Sequence, residues 1–549
     1  MPEPTENLPL GRLAESPAAQ SDGDSTTTAR PTVTAGILGV LTLASLIMLA
    51  LAGGGVLTRA SQGQYLVLIL CALAVWGCWL FWRTALRDPG VPVSLLHPFI
   101  AVVLIILITH LLGGGSVDPR HGRIDLLGKE DPGVLIRLMV FALLILLVQD
   151  VLPRIRPGRW PLTAIGVAIA AGSAWRLTGD AVQGVPAVAL SGFAGVGMLL
   201  APALLPWPHA ESAAPGRVRP LVCIEMVARM AAAAWLAAVI MVSHYQAADA
   251  SVLACAAIAA AMILSGIFLR HHRLRLLAGG VVLAAAAAVG AMQLEMPPFA
   301  WIQNVRILGS PQPSQLAAAG NRSGLGVLAL TAGGIGAGIL LAGMLVALLW
   351  SLVRARAASP GDQARSALWA GVAAVSAAAM LAEGGLAVPA AVATAAIAWG
   401  LLPHMMAHHL GRFRGWGVTL AFLAALVVLG LETKVAGPRW FKPPADLYLH
   451  GLGAALLTAV ILWRTRCRRW WQGILAAAAA ATLTSLGEAG QWYLSTVRSP
   501  AWADVSADCI GAAVAFGIFL LILIAARIER AFAAKPRIDY EKYRSWQGP

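Results

Sequence analysis

Sixteen apolar runs, each close to a bilayer's thickness when helical and separated by short polar breaks, constrain this chain more than any other feature. Crossing the hydrocarbon core takes about 20 mostly apolar helical residues. The runs lie near 34–56, 65–82, 95–113, 133–152, 160–178, 183–205, 219–243 and 250–269, then near 275–295, 325–353, 366–384, 388–406, 414–432, 446–463, 471–491 and 504–526. They are rich in Ala and Gly and lack strand-like alternation. Helices are therefore expected rather than a barrel, because backbone in lipid must satisfy its own hydrogen bonds. The expected fold is all-α, a polytopic integral membrane protein of about sixteen transmembrane helices. Composition agrees, with 58% hydrophobic and 12% charged residues, about half the charged fraction of a soluble globular domain. Membrane lipid is the first expected partner.

A net charge of +14 would point to nucleic acid in a soluble protein. Here Lys and Arg punctuate the apolar runs, so the excess is topological and no nucleic-acid partner is expected. Short cytoplasmic loops should be enriched in positive charge. The loops assigned inside hold Arg83 and Arg87; Arg154, Arg156 and Arg159; Arg217 and Arg219; Arg270, Arg273 and Arg275; Arg354, Arg356 and Arg365; Arg412 and Arg414; and Arg464, Arg466, Arg468 and Arg469. The loops assigned outside include the longest ones yet hold fewer basic residues, and two carry none. This alternation places both termini in the cytoplasm. Residues 1–33, rich in Ser, Thr, Pro and acidic residues, read as a disordered cytoplasmic tail. Residues 34–406 read as a twelve-helix membrane domain, 407–526 as a four-helix membrane domain and 527–549 as a basic cytoplasmic tail. Cys71, Cys78, Cys223, Cys255 and Cys509 fall in apolar helices and Cys467 in an Arg cluster, so no disulfide framework is implied.

Three longer loops, 114–132, 296–324 and 433–445, are assigned to the outer face. Beside the last of them, polar residues gather at helix ends. Asp446 and His450 open one run at i, i+4 spacing and share a face. Glu488 and Gln491 close the next, Arg498 lies in the following loop, and Asp504 and Asp508 open the last, with Gly511 and Ala512 below as small residues that permit close packing. Alternating chain direction brings these residues to one leaflet. Ionisable groups at membrane depth are costly unless paired, and they usually face a bundle interior or a cavity. The set fits a proton-sharing cluster, a receptor for a polar head group or a divalent-metal site. No spacing within it is diagnostic of metal, and neither a metal nor a cofactor is assigned.

The ordered residues Asp446 with His450, Glu488 with Gln491, Arg498, and Asp504, Asp508 and Gly511 resemble the pattern of the VanZ-like family, D-K-x-x-H, E-x-x-Q, R and D-x-x-x-N-x-x-G. The resemblance covers about residues 414–526. Leu447 stands where the family has Lys, and Asp508 where it has Asn. The resemblance implies an envelope protein of the bacterial inner membrane that recognises a polar cell-wall or lipid-linked group.

A thinner resemblance, chiefly over 300–406, is to O-antigen ligases and polymerases. It rests on Asn321-Arg322-Ser323-Gly324-Leu325, on Thr331 to Gly336, on the Arg354 and Arg356 loop, and on Glu383 to Pro389. Gly320 and Ala332 replace that family's His and Glu. The resemblance implies a glycan transferase drawing on a polyprenyl-diphosphate-linked donor, with Arg306 and Arg322 holding the diphosphate. A secondary transporter is a third expectation, although no inverted repeat or matched Pro-broken helix supports it. Glu225 and Arg229, at i, i+4, are expected to form a structural bridge. His404, His408 and His409, and His271 with His272, read as solvated interfacial histidines.

Overall fold

The computed structural model describes residues 33–54, 61–86, 90–93, 116–118, 123–125, 143–151, 159–179, 184–204, 220–243, 247–294, 335–382, 388–406, 411–413, 445–494 and 501–533, with a few single residues between them. Thirteen helices follow in order: α1 Val33–Gly53, α2 Ser61–Leu86, α3 Arg159–Leu177, α4 Val185–Leu204, α5 Pro220–Ser243, α6 Ala247–Phe268, α7 Arg273–Gln293, α8 Ile335–Ala355, α9 Pro360–Leu381, α10 Pro389–Met405, α11 Ala445–Thr465, α12 Trp470–Leu494 and α13 Trp502–Ala533. Residues 143–151 are also helical. Among the described residues, nine helices are long and apolar enough to cross a membrane. The chain is thus all-helical in its body, with the helices of a multi-pass membrane protein. The expected runs 95–113 and 414–432 and the loops 296–324 and 433–445 lie outside the described residues, apart from single positions.

Four strands of three residues sit between helices. β1 (Val91–Val93) pairs antiparallel with β4 (Gly411–Phe413), joining the segment after α2 to the segment after α10. β2 (Ser116–Asp118) and β3 (Arg123–Asp125) form a hairpin within 114–132.

One apolar core runs through the bundle, from α1 and α2 through α3, α4, α9 and α10 to α11 and α13. α10 is apolar on every face and buries every residue but His404, which is what a central helix requires. α3 and α4 cross with backbones almost touching, since a Cβ on Gly166 would lie 2.8 Å from the Gly195 carbonyl oxygen and one on Gly195 would lie 2.9 Å from that of Gly166. Close approach through small residues suits helices in lipid, where packing replaces the hydrophobic effect. α5 and α7 leave most of their apolar side chains exposed, Val242 at 85% for example, as lipid-facing helices do. The expected Glu225–Arg229 bridge forms on α5, and Arg229 also donates to Thr163 of α3, holding the outer helix to the core.

The helix ends meet in the relative order that alternating directions demand. Thr34, at the start of α1, donates through its amide (2.8 Å) and hydroxyl (2.6 Å) to Glu529 near the end of α13. Gly39 near the start of α1 lies against Trp82 near the end of α2. Trp79 donates to Asp150 (2.7 Å) and stacks edge-on with Trp463 of α11. The His404 ring of α10 hydrogen-bonds the Gln149 carbonyl at 2.7 Å. All these contacts share one end of the bundle. Gly53 meets Pro389 and Ala393 at the other.

Several helix boundaries differ from the sequence expectation, and two of them bear on the packing. α9 starts at Pro360 rather than near 366, because Ser359 caps it: its hydroxyl oxygen accepts from the Asp362 amide (3.3 Å), and Pro occupies the first turn. α13 continues past 526 to Ala533. At about 1.5 Å per residue it exceeds the ~30 Å apolar thickness of a bilayer, and its last turns carry Glu529 to Thr34.

Candidate polar site at the ends of three helices

α11, α12 and α13 follow one another with short connections and pack as neighbours, α11 and α13 over the longest stretch. Their intimacy has a local cause. A Cβ on Gly511 of α13 would overlap the Gly451 carbonyl oxygen of α11, and one on Gly451 would lie 3.3 Å from the Ala507 carbonyl oxygen. Two facing glycines let the backbones touch. That contact sets the neighbours on either side: His450 precedes Gly451, and Asp508 lies one turn before Gly511.

His450 occupies the centre of the site. Its Nδ1 lies 3.4 Å from Glu488 Oε1 of α12 and 3.4 Å from Asp508 Oδ1 of α13, and its Nε2 lies 3.9 Å from Asp504 Oδ2. The carboxylates are buried, Glu488 at 3%, Asp504 at 7% and Asp508 at 2% exposure. Asp504 stands in the first turn of α13, where the helix dipole favours an anion. One ligand-capable atom from each of His450, Glu488 and Asp504 can be chosen so that all lie within 4.8 Å of one another. Asp508 Oδ2 is buried and has no hydrogen-bond partner among the described residues.

The structure therefore brings together four of the expected site residues, His450, Glu488, Asp504 and Asp508, and puts Gly511 at the helix contact that aligns them. Asp446 lies on α11 one turn before His450, and Gln491 lies on α12 three residues after Glu488. The side chains of both, and the whole of Arg498, Arg306 and Arg322, lie outside the described residues. Among the described residues, three acids around one imidazole form a buried anionic cluster, of the kind that suits a cation or a ligand rich in hydrogen-bond donors. Residue spacing alone does not reveal the three-ligand grouping, because each ligand comes from a different helix.

A second buried polar set escaped the sequence reading. Arg83, fully buried, places Nε 3.4 Å from Asp150 Oδ2 and its guanidinium over the Trp79 ring. Arg83 reads in the sequence as a loop cation, and Asp150 falls unremarked within the apolar run 133–152. The available signal was a Gln-Asp pair and a Trp-rich turn bearing Arg at the ends of two apolar runs.

Comparison with protein families, with curated proteins and with solved structures finds no match for this chain.

Proposed function

We propose that the chain is a sixteen-helix protein of the bacterial inner membrane with both termini cytoplasmic, and that its VanZ-like part recognises a polar cell-wall or lipid-linked group. The observation that carries this reading is the convergence of His450, Glu488, Asp504 and Asp508 from three helices at one end of the bundle. Buried carboxylates at membrane depth are costly unless they are paired or serve a ligand or a proton. The charge pattern of the loops supports an outward-facing pocket. Alkaline phosphatase fused after Arg498 is then expected to be active, and fused after Arg466 inactive; the reverse result would invert the orientation.

The functional test is envelope glycan analysis of a deletion strain complemented with Glu488→Ala or Arg322→Ala. Glu488→Ala is expected to behave as the deletion while Arg322→Ala behaves as wild type. Loss of a polymer in Arg322→Ala alone would overturn the recognition reading and favour a glycan transferase working from the 296–324 loop.

A further inference from the structure

The turn between α11 and α12 lies at the opposite end of α11 from His450 and concentrates positive charge. Among the described residues, two that are not glycine have a left-handed backbone, His272 (φ 59°) and Arg466 (φ 50°). Histidine enters that region more readily than arginine does. Arg466 ends α11 in a Schellman arrangement, where glycine is the usual residue: its amide donates to the Trp463 carbonyl (3.3 Å) and the Cys467 amide to the Leu462 carbonyl (3.3 Å). Glycine would relieve the backbone, so the side chain accounts for an arginine there. At the other end of the turn, Gln472 Oε1 accepts from the amides of Arg468 (2.8 Å) and Arg469 (3.1 Å). Backbone bonds thus hold both ends of a four-residue corner on which Arg466, Arg468 and Arg469 are exposed. Among the described residues, no carboxylate pairs with any of the three. Arg464, by contrast, turns its guanidinium over the Trp463 ring.

The apolar span of α11 ends at Thr465, which sets this corner at the edge of the hydrocarbon. Gly473 packs α12 against Phe519 of α13, while Trp470, Trp471, Ile474 and Leu475 form one exposed apolar face directly after the arginines. Tryptophan at a membrane boundary sits at the level of the head groups. We propose that Arg466, Arg468 and Arg469 bind the phosphate of an anionic phospholipid, with Trp470 and Trp471 at its glycerol level and Ile474 and Leu475 along its acyl chain. Guanidinium groups meet phosphate oxygens through paired N–H donors, and clustered basic residues beside a membrane helix attract anionic lipid. A zwitterionic lipid would bring its own cation to a corner that already holds three. A free phosphate would meet the charges but leave the apolar face uncovered, so lipid is the occupant that fits both. The proposal does not depend on the His450 cluster.

The test uses the full-length chain, purified in detergent, stripped of lipid and titrated with dimyristoyl-phosphatidylglycerol, dimyristoyl-phosphatidylcholine or inorganic phosphate. Phosphatidylglycerol is expected to raise Tm and to stay bound in native mass spectrometry, with neither effect from phosphatidylcholine or inorganic phosphate. Each lost arginine should weaken binding about fivefold, so Arg468→Gln with Arg469→Gln should weaken it about 25-fold. Arg466→Gly should also weaken it about fivefold while raising the Tm of the lipid-free chain, because glycine suits the left-handed turn. A merely structural arginine would not move the two readouts in opposite directions. An equal response to phosphatidylcholine, binding unchanged in the double variant, or a lower lipid-free Tm in Arg466→Gly overturns the site. So does an equal loss of binding from Arg273→Gln with Arg275→Gln, two exposed arginines at the start of α7, which would reduce the effect to diffuse charge. An equal rise in Tm with inorganic phosphate would make the corner a free-anion site and overturn the lipid assignment. The wild-type comparison of the two lipids needs no variant, so a variant that fails to fold leaves the test intact.

Discussion

Replacing Gly511 with alanine will destabilise the protein by about 1–3 kcal/mol, whereas the same change at Gly517 or Gly453 will leave stability level or raise it by up to ~1 kcal/mol. All three glycines lie inside α11 or α13, so helix propensity favours alanine at each of them. The difference is what the new methyl group meets. At Gly453 and Gly517 no atom of another described element comes within 4 Å, while at Gly511 the methyl overlaps the backbone carbonyl of Gly451. A side chain in the way can rotate aside; a carbonyl within a helix moves only with its helix. Gly511→Ala must therefore push α11 and α13 apart where His450 faces Asp508, lengthening the 3.4 Å separation between them. The His450 cluster should be disturbed along with stability, whereas Gly517→Ala should preserve both. Thermal unfolding of the detergent-solubilised chain reads the effect on stability. If Gly511→Ala matches wild type in Tm, the backbone contact that aligns the pocket is wrong.

The helices were legible in the sequence because lipid leaves few alternatives: an apolar run of bilayer length is a helix, and thirteen of the expected runs correspond to the helices α1 to α13. Their ends were less legible where capping outweighs hydropathy. Asp362, Gln363 and Arg365 read as a loop, yet Ser359 and Pro360 begin a helix through them. The site was half legible. Spacing of i, i+4 puts Asp504 and Asp508 on one face, but register between helices is a property of packing. That register is set by Gly451, which the sequence reading passed over, meeting Gly511, which it noted. The Arg83–Asp150 pair was the least legible, since a basic residue at the end of an apolar run carries the same signature whether it stays in the loop or folds back into the bundle.

That buried pair supports the second large expectation: Arg83→Leu will cost about 3–5 kcal/mol of stability, the range for removing one partner of a buried ion pair. Asp150 Oδ2 accepts from Trp79 Nε1 at 2.7 Å and lies 3.4 Å from Arg83 Nε. Trp79 in turn meets Trp463 edge to face at 5.3 Å, linking α2 and the 143–151 helix to α11. Without Arg83, the Asp150 carboxylate stays buried beside an apolar leucine. The double change Arg83→Leu with Asp150→Leu should recover much of the loss, because a well-packed apolar pair often replaces a buried ion pair at little cost. A double-mutant cycle on thermal stability therefore gives a large coupling energy; additive effects would mean that the two groups do not hold each other. Trp463 lies thirteen residues along α11 from His450, about 20 Å at 1.5 Å per residue. Arg83→Leu should accordingly lower Tm while leaving the His450 cluster of the folded fraction undisturbed. Gly511→Ala affects both, so comparison of the two variants separates the loss of a scaffold contact from the loss of the site.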